Sequence, residues 1–325
     1  MNIRVETHFE TLGASKERYV PGGYYDNIDV DRKLEIMSKI DGLDGIFVLY
    51  PPDPLPSDPD KLVKKLNNYG LEVADIYPDN FSNKKWKYGA FSDKSDRVRK
   101  DNIKICKECI DFAKAINAFS VLLWPAHDGF DYPFQTDYKD SWKYLVETFR
   151  EIGEYDKNVK IAIEYKSKDP RQRQYVSTVG REIALLNDIG LENLGGVVDT
   201  GHAFMAQESI AEVLELLDYY NKLYQIHLNE NYRDSDPDLL FGTINFWENL
   251  EFFYFLNKTN FDGWINIDIQ SPRTDRIKTL EMGTKLIWKY KDLADKLTDH
   301  SNEIDKNLRT YNVIGNMDLI TSLIF

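Results

Sequence analysis

"LGGVVDTGHA", residues 194–203, ends a β-branched apolar run on a carboxylate, Asp199, and sets a histidine, His202, three positions further on. A short run rich in Val and Ile, followed by a longer amphipathic stretch, is the pattern of a βα unit in a parallel sheet. Eight runs of this kind occur: "IRVETH" (3–8), "DGIFVLY" (44–50), "EVADIY" (72–77), "SVLLW" (120–124), "KIAIEY" (160–165), "LGGVVD" (194–199), "YQIHL" (224–228) and "WINID" (264–268). The gaps are filled by stretches such as "SWKYLVETFREIGEY" and "SIAEVLELLDYY", whose apolar residues recur at helical spacing. Eight βα repeats in 325 residues predict an α/β fold, a (β/α)8 TIM barrel over 1–300 with a C-terminal helical extension over 301–325.

Composition narrows the function. Hydrophobic residues make up 42% and charged residues 29%, the balance of a globular enzyme able to bury a sizeable core. The net charge of -13 disfavours nucleic acid and anionic membrane as partners, because phosphate binding needs clustered Lys and Arg. A small neutral substrate fits better. "MNIRVETHFE" has no signal-like apolar stretch, and no run approaches 18 apolar residues, so a cytoplasmic location is expected. Cys106 and Cys109 form a CxxC within a helical pattern that has no second ligand pair nearby. They read as two thiols on a helix flank, without a zinc or redox role.

In such a barrel the chemistry sits at the carboxyl ends of the strands. Strand five ends in Glu164, strand six in Asp199, strand seven in His227 and strand eight in Asp268. Taken singly, Glu164 could as well pair with Lys166, and Asp268 could cap the next segment. Four metal-ligand types on four consecutive strands are a different matter, because an unpaired buried carboxylate costs several kcal/mol and a divalent cation is its economical partner. Three carboxylates and one imidazole suit Mn²⁺, with Mg²⁺ or Co²⁺ as substitutes, better than a structural zinc. A second set lies beside the first: His202, and the Asp236 and Asp238 of "DSDPD", whose spacing turns both carboxylates to one side of an extended segment. With Asp199 as a bridge, these would hold a second cation.

"DPDLLFG" (236–242) resembles the metal-binding segment of xylose isomerases, and "IEYKSKDPR" (163–171) is similar to their Glu-x-Lys strand with its following "DPR". With "VVDTGHA", "IHLNENY" and "FDGWINIDIQ", the chain resembles the xylose isomerase-like barrel superfamily on its L-rhamnose isomerase side. The resemblance implies a first metal on Glu164, Asp199, His227 and Asp268, and a second on Asp199, His202, Asp236 and Asp238. It also implies Lys166 at the substrate's C1 oxygen, where an ammonium stabilises developing negative charge. It departs from xylose isomerases in using Asp199 and His227 at two ligand positions, and in lacking a clear match to their ring-opening histidine; His127 is the candidate stand-in.

The expectation is therefore a metal-dependent aldose-ketose isomerase that moves hydride on an open-chain sugar. Lys166, Asp236 and His202 carry the catalysis, and Trp124, Trp86, His127, Phe130 and Phe134 line the sugar. The rivals are a one-metal ketose 3-epimerase and a barrel lyase or dehydratase, such as an inosose dehydratase or a C-glycoside-cleaving subunit. A 3-epimerase usually carries Glu where this chain has Asp268. The C-terminal helix favours a homodimer or homotetramer.

Overall fold

The computed structural model describes residues 3–324. Eight strands form a closed barrel: β1 (Arg4–His8), β2 (Gly45–Tyr50), β3 (Glu72–Pro78), β4 (Ser120–Leu123), β5 (Ile161–Ile163), β6 (Leu194–Asp199), β7 (Leu223–Leu228) and β8 (Trp264–Ile267). Each pairs in parallel with its sequence neighbours, and β1 closes the ring against β8. The helices between them pack an almost wholly apolar layer onto the outside of the barrel. The chain is thus the (β/α)8 barrel that the eight repeats imply.

Helix starts are set by side-chain caps. Asp29, Asp58, Asp137, Thr178, Ser209 and Asp275 each accept a first-turn backbone N–H, satisfying a donor that the helix itself cannot. Inside the barrel, Phe47, Leu122, Ala162 and Val197 form a small apolar plug. Leu122, Ala162 and Val197 stand two residues before Trp124, Glu164 and Asp199, so the alternation of the strands puts these three at the mouth.

Four strand ends differ by a residue or two from the sequence expectation: β3 runs on to Pro78, whereas β4, β5 and β8 stop at Leu123, Ile163 and Ile267, leaving Trp124, Glu164 and Asp268 just beyond. The loops after β4 and β5 leave the barrel early because they pair with each other, Gly129–Phe130 lying antiparallel to Arg173–Gln174. Beyond the last barrel helix (Arg276–Thr298), the extension is two helices, Ser301–Arg309 and Val313–Ile324. Among the described residues no helix is long and apolar enough to cross a membrane. Cys106 and Cys109 are free and fully buried on the helix Asp96–Ile116, and burial pushes both thiols up, away from the reactive thiolate.

Candidate metal centre at the barrel mouth

The interval between Asp199 and His202 has a local cause. Asp199 is both the last residue of β6 and the N-cap of a short helix, Thr200–Met205, and its Oδ1 accepts the backbone N–H of His202 at 2.8 Å. An N-cap carboxylate bonds the third helical residue, so the spacing of three follows from the cap. Gly201 leaves space: a Cβ there would lie 1.7 Å from Asn229 Oδ1 and 2.9 Å from Asp236 Oδ1. Asn229 uses that space to donate its amide to both oxygens of Asp199, at 3.1 Å each.

Around Asp199 the other strand ends converge. One donor atom from each of Glu164, Asp199, His227 and Asp268 lies within 4.8 Å of the rest, and no other such group of His, Cys, Asp and Glu occurs among the described residues. Glu164 Oε1 is 3.3 Å from His227 Nδ1 and 3.4 Å from His202 Nδ1; Asp268 Oδ2 is 3.7 Å from His227 Nδ1. Burial pushes Asp199 up to about 7; His202 opposes the rise, while Glu164, Asp236 and Asp268 add to it. Glu164 and Asp268 resist the same desolvation, Glu164 because His227 and His202 hold it down and Asp268 because His8 and His227 do.

These residues fit a divalent cation. His227 Nδ1 is buried without a hydrogen-bond partner while facing two carboxylates. Its other nitrogen is engaged with Gln225 Oε1 at 3.2 Å, so a neutral imidazole that donates there keeps a lone pair toward the cluster. A predominantly oxygen donor set of this kind suits a hard divalent cation.

The second set is arranged differently. The Asp236 side chain is fully buried and already faces two cationic groups, Lys166 Nζ at 2.8 Å and His202 Nε2 at 3.1 Å. Despite burial, those partners hold Asp236 far below the usual carboxylate range. Lys166 is held above its ordinary value against desolvation by Asp236 and Asp238, and His202 is pushed up to about 10 against desolvation by Asp199 and Asp236. Asp238 lines the same cavity, its carboxyl raised by burial and by the charges of Asp236 and Asp268. Lys166, Asp236 and His202 therefore meet as an ion-paired triad beside the four-donor cluster.

The cavity above the cluster has a volume of about 220 Å³. Trp124 and Lys166 line it, with the Lys166 ammonium 5.4 Å from the indole centroid. The other expected wall residues stand elsewhere. His127 lies behind Phe81, its Nε2 3.1 Å from the Phe81 carbonyl. Phe130 packs on Tyr138 and Tyr175 at a neighbouring cavity, Phe134 is fully exposed, and Trp86 is core. The loop pairing after β4 and β5 carries Phe130 away from the mouth. His8, Tyr77 and Phe81 line the cavity in their place, and His8 Nε2 stands 3.4 Å from Asp268 Oδ1. His8 was within reach of sequence reasoning, because it is the terminal residue of β1 and obeys the same strand-end rule.

A closed parallel barrel with a carboxylate and imidazole cluster at its strand ends defines the class: a (β/α)8 protein whose mouth residues fit a divalent cation beneath a cavity. The family model described as "Xylose isomerase-like TIM barrel" matches residues 34–288, and the chain belongs to that family. The xylose isomerase of Thermus thermophilus is 26% identical over 235 residues, covering 68% of this chain and 59% of that protein, so the chain spans under two thirds of that curated relative. A structure of L-ribulose 3-epimerase superposes with a TM-score of 0.72 at 16% identity, covering 92% of this chain and 98% of that one. A structure of the IOLI protein with a bound zinc atom superposes with a TM-score of 0.64 at 17% identity, covering 89% and 96%. At these identities the two structures bear on the fold alone.

Proposed function

We propose that the chain is a divalent-cation-dependent sugar isomerase that interconverts an aldose and a ketose. The observation that carries this reading is the convergence of Glu164, Asp199, His227 and Asp268 under a small, acid-lined cavity. Glu10 and Asp268 on that cavity repel phosphate and carboxylate groups, and the Lys166 and His202 cations are already paired with Asp236, which favours an uncharged sugar. The xylose isomerase name of the curated relative points the same way.

A bound cation would supply Lewis-acid polarisation of substrate oxygens and would balance the three carboxylates. The chain's own residues do the rest. Lys166 directs an ammonium into the cavity and stabilises negative charge on a substrate oxygen, while Asp236 keeps that ammonium in place. Glu164 and Asp268 both face His227 Nδ1 on the cavity, and these carboxylates would take the proton from a carbon next to a carbonyl. Trp124, Phe81 and Tyr77 offer aromatic faces that exclude water from the sugar's C–H face.

The engagement of Asp236 with Lys166 and His202 favours one cation and proton transfer over two cations and hydride transfer. The same feature supports a second reading, ketose 3-epimerisation, in which Glu164 and Asp268 work on opposite faces of one carbon. Incubating Mn²⁺-loaded protein with a panel of free aldoses and ketoses in deuterium oxide tests both readings. Aldose-ketose conversion with deuterium at C1 or C2 is expected; deuterium at C3 selects the epimerase. No conversion of any free sugar sinks both.

A further inference from the structure

Beneath the mouth, the barrel interior holds polar side chains that the proposed chemistry does not use. Asp75 on β3 and Ser120 on β4 stand opposite each other in the strand register, and the Ser120 hydroxyl donates to Asp75 Oδ1. Gln225 on β7 reaches across the lumen and donates its amide Nε2 to Ser120 Oγ at 2.7 Å. Two residues along β7, His227 places Nε2 3.2 Å from Gln225 Oε1. All four side chains are buried to within 1% of complete exclusion from solvent.

The chemistry of these groups gives the relay a direction. A carboxylate only accepts, so Ser120 spends its single hydrogen on Asp75 and has only lone pairs left for Gln225. Gln225 must then turn its NH₂ toward Ser120 and its oxygen toward His227. An amide oxygen only accepts, so His227 must donate from Nε2, and its Nδ1 lone pair faces Glu164 and Asp268. The polarity holds as long as Asp75 stays ionised. Burial raises both Asp75 and its neighbour Glu6; the charges of Asp75 and Asp268 raise Glu6 further, whereas the Ser120 hydroxyl holds Asp75 down, so the proton that the pair shares stays on Glu6.

We infer that Asp75, acting through Ser120 and Gln225, is a positioning residue that sets the tautomer and orientation of His227 for the cation. This rests on the metal reading above. Partners that orient a ligating imidazole are typically worth about 10- to 100-fold in metal affinity.

The test is Mn²⁺ affinity, read by electron paramagnetic resonance of free Mn²⁺, in Ser120→Ala, in Gln225→Glu and in the double variant. Ser120→Ala cuts the relay and is expected to weaken binding by about 10-fold or more. A carboxylate at position 225 accepts from His227 without instruction from Ser120, so Gln225→Glu should bind at least as tightly as wild type. In that background Ser120→Ala should then cost nothing. Nitrogen-15 shifts of His227 in the Mg²⁺-loaded protein should show a protonated Nε2 in wild type and in the double variant. Tight wild-type binding that Ser120→Ala leaves unchanged overturns the relay alone. So does a loss that persists in the Gln225→Glu background, since that marks Ser120 as merely structural. A wild-type chain that binds no Mn²⁺ overturns the metal reading and the relay with it.

Discussion

Asp128 and Asp199 are both fully buried aspartates with raised carboxyls, about 6 and about 7, yet their surroundings have opposite character. Asp128 accepts from the backbone N–H groups of Ala90, Phe91 and Ser92 and from the Ser92 hydroxyl, all at 2.6 to 3.0 Å. Every lone-pair direction that matters is filled, and Asp128 ties the loop after β4 to the segment 90–92. Asp199 has a cap bond and an amide, but it also faces Glu164, Asp236 and Asp268. A buried carboxylate ringed by donors is a structural clamp, whereas one ringed by other carboxylates needs a cation or a proton. The pKa direction alone does not separate them; the neighbours do.

The sharpest way to break this contrast is Glu164→Gln at the mouth. Turnover in the sugar assay should fall by about 10³-fold or more, roughly 4 kcal/mol in the barrier. The melting temperature of the metal-free protein should fall only modestly, because the lost attraction of His227 and His202 is partly offset by relief of repulsion from Asp199 and Asp268. Asp128→Ala should do the reverse. Three backbone N–H groups lose their acceptor, stability in urea unfolding should drop by about 3 kcal/mol, and the surviving folded protein should keep its Mn²⁺ affinity.

Mn²⁺ itself sharpens the comparison. At about 100 times its dissociation constant it should stabilise the wild-type chain by about 2.7 kcal/mol in thermal unfolding, and leave Glu164→Gln far less affected. The smallest effect is in pH. Below about 7 Asp199 holds a proton that must leave when the cation binds, so Mn²⁺ affinity should fall as pH falls, by up to about tenfold per unit. Above 7 the dependence should weaken to that set by His227, whose proton Glu164 and Asp268 hold above its ordinary range and which must also leave.

Much of this molecule was readable from one-dimensional pattern. Eight β-branched runs alternating with amphipathic helices leave a closed parallel barrel as the economical burial of both, and strand alternation then puts Glu164, Asp199, His227 and Asp268 at one end. The spacing of Asp199 and His202 is local as well, because a cap bond spans three residues whatever surrounds it. What sequence left open depends on contacts between distant segments. Asp236 faces Lys166 from 70 positions away, and Gln225 meets Ser120 from 105. Phe130 and Phe134 suit an aromatic wall for a sugar, but the pairing of residues 129–130 with 173–174 turns that loop outward. Local propensity and periodicity determine which residues reach the mouth of the barrel. Which of them carry compensated charge, and which wait for a cation, is decided only when the barrel closes, because electrostatic energy depends on distance through space and burial, not on separation along the chain.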